Sequence, residues 1–225
     1  MGETAQTLDR GLRLLHLVAD APAGLTVTEA AAALVVGRAV VYRLVGSLTA
    51  HGMIRRDDAG RLRLGPGVLH LARRAQPLLA DTAVPVLRAL AEQVGATAHL
   101  TLADGAEAVA IAVVEPSWTA FHVAYRVGSR HPLTAGAAGR AILAGRSPTT
   151  GNSVAGPGSV SRPGATGMVV SSGELQPGAH GVAVPVLGVA GLEASVGVVA
   201  LQPLSLDTIG PRVTAAAAAL ATALS

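Results

Sequence analysis

The 225-residue sequence contains no cysteine, which excludes disulfides and thiolate metal sites and suits a reducing compartment. Lysine is absent as well: all 17 cationic side chains are Arg, so each cationic contact is a planar fork suited to phosphate or guanine. Aromatic residues are scarce, with one Phe (Phe121), one Trp (Trp118) and two Tyr, which leaves Ala, Val and Leu to fill the cores. Long apolar runs are missing too. The longest, residues 181–192 and 213–224, are too short and too rich in small residues to span a bilayer. Residues 1–10 are polar and lack the pattern of a secretory signal. A cytoplasmic chain with no membrane segment is expected.

What is present is half apolar and long enough for one large domain or two small ones. The charge is uneven. Residues 1–75 carry net +4 and residues 76–225 carry net −1, which together give the +3 of the chain. A basic head on a near-neutral body points to a polyanion partner for the head alone.

Helical spacing of Leu8, Leu12, Leu15 and Val18 predicts a first helix over 7–20. Thr26 and Glu29 have capping-box spacing and should open a second helix running to Leu34. A tight turn at Val35–Gly37 leads to a third helix over 38–50, stopped by Gly52. The stretches 53–56 and 61–64, separated by Asp57–Gly60, read as a β-hairpin. This is the order of a winged helix-turn-helix.

Further on, the pattern predicts a linker helix over 66–75, a separate helix over 82–94, and strands at 98–102, 108–114 and 121–127. A short helix over 135–144 and a long loop over 145–166 follow. Strands at 168–171, 182–187 and 194–201 and a last helix over 207–224 complete the chain. The fold class is α+β, with domains at 1–75 and 76–225 and an antiparallel sheet flanked by helices in the second.

On the third helix, Val41, Leu44, Val45 and Leu48 form a docking stripe, while Ala39, Tyr42 and Arg43 face the other way with Arg38 at the edge. A recognition helix needs that division. Arg43 can fork to guanine or clamp a phosphate, Tyr42 can meet a phosphate or a thymine methyl, and Ala39 allows close approach. Arg55, Arg56, Arg61 and Arg63 cluster on the hairpin. Alternation of Arg61 and Arg63 with Leu62 and Leu64 predicts Arg outward, toward phosphate, and Leu inward. The expected partner is a double-stranded DNA operator.

Together, residues 7–15, 25–31, 42–48, 51–52 and 61–65 resemble the head of the IclR family of transcription factors. Residues 132–144, 172–178 and 181–186 resemble its effector domain. The resemblance implies a GAF-like C-terminal domain, a homodimer or dimer of dimers, and repression or activation controlled by a small metabolite. Three features depart from the family pattern. Ala39 and Val40 stand where the recognition helix usually carries hydroxyls, Arg140 replaces a Lys, and residues 145–166 lack an expected helical segment. Carried over by resemblance, the effector positions are Val123, Ala137, Ala138, Glu174, Ala183, Val199 and Leu201. So few polar groups imply a mostly apolar or aromatic effector.

The seven His have no metal-type spacing. No nucleophile elbow or phosphate-binding loop occurs, and neither a metal, a cofactor nor catalysis is expected. His99 and His122, on expected strands, read as surface or core residues. Two alternatives stay open: an enzyme with a winged-helix appendage, and a winged helix that docks protein.

Overall fold

The computed structural model describes residues 5–119, 123, 125–146 and 167–225. The chain forms two compact units, residues 1–75 and 76–225.

In the first unit, α1 (Gln6–Ala19), α2 (Val27–Leu34) and α3 (Arg38–Ala50) precede a two-stranded sheet of β1 (Ile54–Arg56) and β2 (Leu62–Leu64). Leu14, Ala30, Val41, Ile54 and Leu62 are buried together, so all three helices and both strands share one core. The α2 start is a complete capping box: the Thr26 hydroxyl accepts from the Glu29 N–H at 3.1 Å, and the Glu29 carboxylate accepts from the Thr26 N–H at 2.7 Å. The helix ends on Val35, whose φ of 55° places a β-branched residue in the left-handed region. That cap turns the chain sharply, and α2 and α3 meet at 109°, within the range for a helix-turn-helix. At the base of the hairpin, a Cβ on Gly65 would lie 2.1 Å from the Gly52 carbonyl oxygen, so only glycine fits.

Residues 66–94, expected as two helices, form one: α4 runs Gly67–Val94 through Pro77 and Pro85. Each proline removes one amide from the ladder, yet Leu78, Leu79 and Ala80 after Pro77 are good helix formers and carry the helix on.

The second unit holds a six-stranded antiparallel sheet in the order β5-β4-β3-β8-β7-β6. The strands are β3 (Thr97–Asp104), β4 (Glu107–Val114), β5 (Arg130–Pro132), β6 (Val169–Ser172), β7 (His180–Val186) and β8 (Ala194–Ala200). The helices are the later part of α4, α5 (Gly136–Arg146) and α6 (Leu206–Leu224). Side chains alternate between the sheet's two faces. Ala98, Leu100, Val182, Val184, Val196 and Val198 pack against Leu87 of α4 and Val213 of α6. The other face carries Thr97, His99, Thr101, Gly181, Ser195 and Gly197, and α5 lies on it, with Ser195 Oγ donating to the Ala138 carbonyl at 3.0 Å.

The strand expected at 121–127 does not form over its described residues. The Tyr125 N–H donates to the Val123 carbonyl at 2.7 Å, and among the described residues hydrogen bonding to β4 begins at Gly128. The third strand is β5. Phe121, His122 and Ala124 lie outside the described residues, as do residues 147–166 of the expected loop; Gly145 and Arg146 complete α5. Among the described residues, no single helix is long and apolar enough to cross a membrane.

Candidate DNA interface and ligand cavity

On α3, Val41, Leu44 and Val45 are buried, while Arg38, Ala39, Tyr42 and Arg43 are exposed on the opposite side. Arg56 on β1 reaches back to this face: its guanidinium carbon lies 5.7 Å from the centre of the Tyr42 ring, a cation–π contact. Arg56 also donates to the Gly60 carbonyl at 3.2 Å. Arg55 beside it is exposed to solvent.

Arg61 and Arg63 lie outside the core that buries Leu62, as the alternation predicts, but they do not stand free. Arg61 donates to the Gly24 carbonyl at 3.1 Å and pairs with Glu29 at 3.2 Å. Arg63 pairs with Asp57 at 2.9 Å and also donates to the Pro22 carbonyl. Both side chains are one-third exposed. The Arg63 guanidinium and the Arg61 N–H hold the Asp57 carboxyl below its ordinary range. These four residues therefore fasten the hairpin to the α1–α2 loop and to α2. Leu62 is buried as expected, but Leu64 is exposed, because β2 ends there and its neighbour Gly65 turns away.

In the second unit, a cavity of about 240 Å³ lies on the α5 side of the sheet. Of the expected effector positions, Val123, Ala137, Ala138 and Val199 line it. Ala183 does not: it is sealed under α5 with Ala137 and Ala141. Leu201 lies beyond the end of β8 and borders a neighbouring cavity of about 510 Å³ beside Trp118.

Glu174 is not a free handle. Its Oε2 accepts from the Gly136 N–H at 2.9 Å and its Oε1 from Arg140 at 2.7 Å. The Arg140 side chain is only 3% exposed, and it also donates to the Val170 carbonyl at 2.8 Å. The Ala137 N–H donates to Ser171 Oγ at 3.1 Å.

The lining is more polar than expected, because His99, Tyr125, His131, Ser171 and Arg130 also face the cavity. The His99 ring meets the Tyr125 ring edge-on at 5.0 Å, and its Nδ1 lies 3.1 Å from Thr101 Oγ1. Gly197 makes room for it: a Cβ there would lie 2.7 Å from the imidazole Cε1 and 2.8 Å from the Val182 carbonyl oxygen. Burial, and then repulsion from His131, push the His99 imidazole down to about 3, so it is neutral at physiological pH. Burial likewise raises the Tyr125 phenol. The Tyr125 hydroxyl and His131 Nε2 are buried with no hydrogen bond of good geometry to any described residue. The sequence signal for this wall was the alternation of His99 and Thr101 with Ala98, Leu100 and Leu102 along one strand.

The helix-turn-helix domain of the IclR family matches residues 7–58, and the C-terminal domain of the bacterial transcriptional regulator IclR matches residues 75–155. The chain belongs to the IclR family. Members of the IclR family are transcriptional regulators, not enzymes. The transcriptional regulator KipR of Bacillus subtilis is 31% identical over 145 residues, which span 62% of this chain and 56% of KipR. The chain thus spans about half the length of the curated relatives it matches. Among solved structures, a putative IclR regulator from Silicibacter sp. TM1040 is 26% identical with a TM-score of 0.55, covering 96% of this chain and 95% of that one. An IclR homologue from Microbacterium hydrocarbonoxydans, in complex with 4-hydroxybenzoate, shares the fold at 23% identity and a TM-score of 0.53, covering 97% of this chain and 98% of its own.

Proposed function

We propose that this chain is a cytoplasmic transcriptional regulator that reads an operator with α3 and β1 and responds to a small molecule held in the C-terminal cavity. The observation that carries the reading is the exposed face of Ala39, Tyr42 and Arg43, flanked by Arg38, Arg55 and Arg56, with a buried stripe docking the helix behind it. The regulatory names of its relatives support it, and the 4-hydroxybenzoate bound to the Microbacterium homologue supports effector control. A cavity of about 240 Å³ suits a molecule of single-ring size, since an apolar void of about 150 Å³ holds benzene. A homodimer, or a dimer of dimers, is the proposed assembly. Leu71, Ala75 and Leu78 are exposed on α4 and, with the half-buried Val68, follow heptad spacing, as a self-association seam requires. Two heads on an inverted repeat then multiply affinity.

Binding measured on an operator selected from random duplexes tests the assignment of roles. Arg43→Ala is expected to weaken operator binding by about 1–3 kcal/mol and random DNA much less, as loss of a base-edge fork does. Arg55→Ala is expected to weaken both and lower the salt slope by about one unit. Arg61→Ala should leave the slope unchanged, because that guanidinium is committed to Gly24 and Glu29. Equal losses for Arg43→Ala on both duplexes would move Arg43 to the phosphate backbone.

A further inference from the structure

The cavity of about 510 Å³ beside Trp118 differs in chemistry from its neighbour. His99, Tyr125, Arg130 and His131 face the first cavity; among the described residues, no charged or titratable side chain lines the second. We propose that the second cavity is a separate binding site for an uncharged, largely apolar molecule, larger than a single ring and carrying one hydroxyl or carbonyl group. This goes beyond the reading of the first cavity as the effector site and does not depend on it.

Position sets the two sites apart. His99 lines the first cavity, and two residues earlier on the same face of β3, Thr97 lines the second beside its β8 partner Val199. Val199 and the buried Val123 line both cavities, so these two valines are a common wall.

Trp118 gives the second cavity an aromatic face. The indole Nε1 donates to the Glu92 carbonyl at 3.2 Å. The adjoining Ser117 N–H and hydroxyl donate to the Glu92 carboxylate at 2.9 and 3.1 Å. At Gly95, where φ is +66°, a Cβ would lie 2.6 Å from the indole, so only glycine lets the ring rest against the end of α4. The ring is thus fixed in place while the residue stays 65% exposed. A fixed aromatic face at a cavity offers apolar contact area to a ligand without further ordering.

Thr97 supplies the polar requirement. It is 1% exposed, and its hydroxyl is buried with no hydrogen-bond partner among the described residues. An unpaired buried hydroxyl is costly, and a ligand hydroxyl or carbonyl in the cavity would satisfy it. A charged ligand would find no opposite charge among the described lining residues to replace its hydration.

Trp118 is the only tryptophan of the chain, so its emission reports on this cavity. Fluorescence titration of the full chain with 1-adamantanol, 1-adamantanecarboxylate and 1-adamantylammonium tests the proposal, since the three share one shape and differ in charge. The alcohol is expected to shift Trp118 emission saturably below millimolar concentration and to bind at least about tenfold more tightly than either ion. Thr97→Val keeps the shape without the hydroxyl and is expected to weaken the alcohol about tenfold. Tyr125→Phe, in the first cavity, should leave the titration unchanged. Should Thr97→Val fail to fold, the wild-type series and Tyr125→Phe still decide. No saturable shift with the alcohol, equal affinity for all three compounds, or an unchanged affinity in Thr97→Val overturns the proposal. A titration abolished by Tyr125→Phe places the molecule in the first cavity and overturns it as well.

Discussion

Glu174→Ala is expected to destabilise the protein by about 3–5 kcal/mol, because it strands a buried guanidinium. Arg140 is 3% exposed, and without Glu174 it keeps, among the described residues, the carbonyls of Val170 and Gly136 as partners, at 2.8 and 3.3 Å. The reverse deletion is milder. Arg140→Met leaves Glu174 partly solvated and still accepting from the Gly136 N–H, and a loss of about 1–3 kcal/mol follows from the missing charged hydrogen bonds. Combining the two should restore stability relative to Glu174→Ala alone, since no unpaired charge then remains inside. Urea denaturation of the four proteins gives the coupling. Strict additivity would show that the pair does not act as a unit.

Lowering the pH from 6.5 to 5 is expected to remove about 2 kcal/mol of stability through His99 alone. The direction follows from its depressed folded value of about 3, set chiefly by burial and secondarily by His131. Well above pH 6.5 the ring is neutral in both folded and unfolded chains, and its contribution is constant. Below that, the unfolded chain takes up a proton that the native chain refuses, and stability falls continuously toward pH 3. The other His residues titrate too, so the informative quantity is the difference between the wild type and His99→Gln. That variant should have a flatter stability profile between pH 6.5 and 5, measured by thermal unfolding. Parallel profiles would place His99 in contact with water.

The first unit was legible because its signals are local. A capping box needs only Thr26 and Glu29, a hairpin turn only Asp57–Gly60, and a docking stripe only the spacing of Val41, Leu44 and Val45. What alternation could not reveal was competition for the arginines. Asp57 is six residues from Arg63, and Glu29 is 32 residues from Arg61, so only the folded hairpin discloses that these cations are taken and Arg55 and Arg56 are the ones left exposed.

The second unit was legible as strands and helices but not as a site. Both faces of β3 are buried, one against α4 and α6 and the other toward the cavity, so burial periodicity does not separate core from lining. The strand β5 leaves no sequence signal, because three residues ending in Pro132 are too few to show an apolar alternation. The cavity wall draws His99, Tyr125, His131 and Ser171 from distant stretches of chain, and a lone histidine on a strand carries no mark of what it faces. Glu174 is an expected effector position, but its role differs: it completes the α5 terminus and neutralises Arg140, a partner 34 residues away.

Selection of bound sequences from a random duplex pool by the full chain bears most directly on the claim that this is a DNA-reading regulator. The expected result is enrichment of an inverted repeat at physiological salt, with the enrichment abolished by Arg43→Ala and altered by a compound that stabilises residues 76–225. A pool that shows no sequence enrichment, or one enriched equally by the wild type and Arg43→Ala, would contradict it.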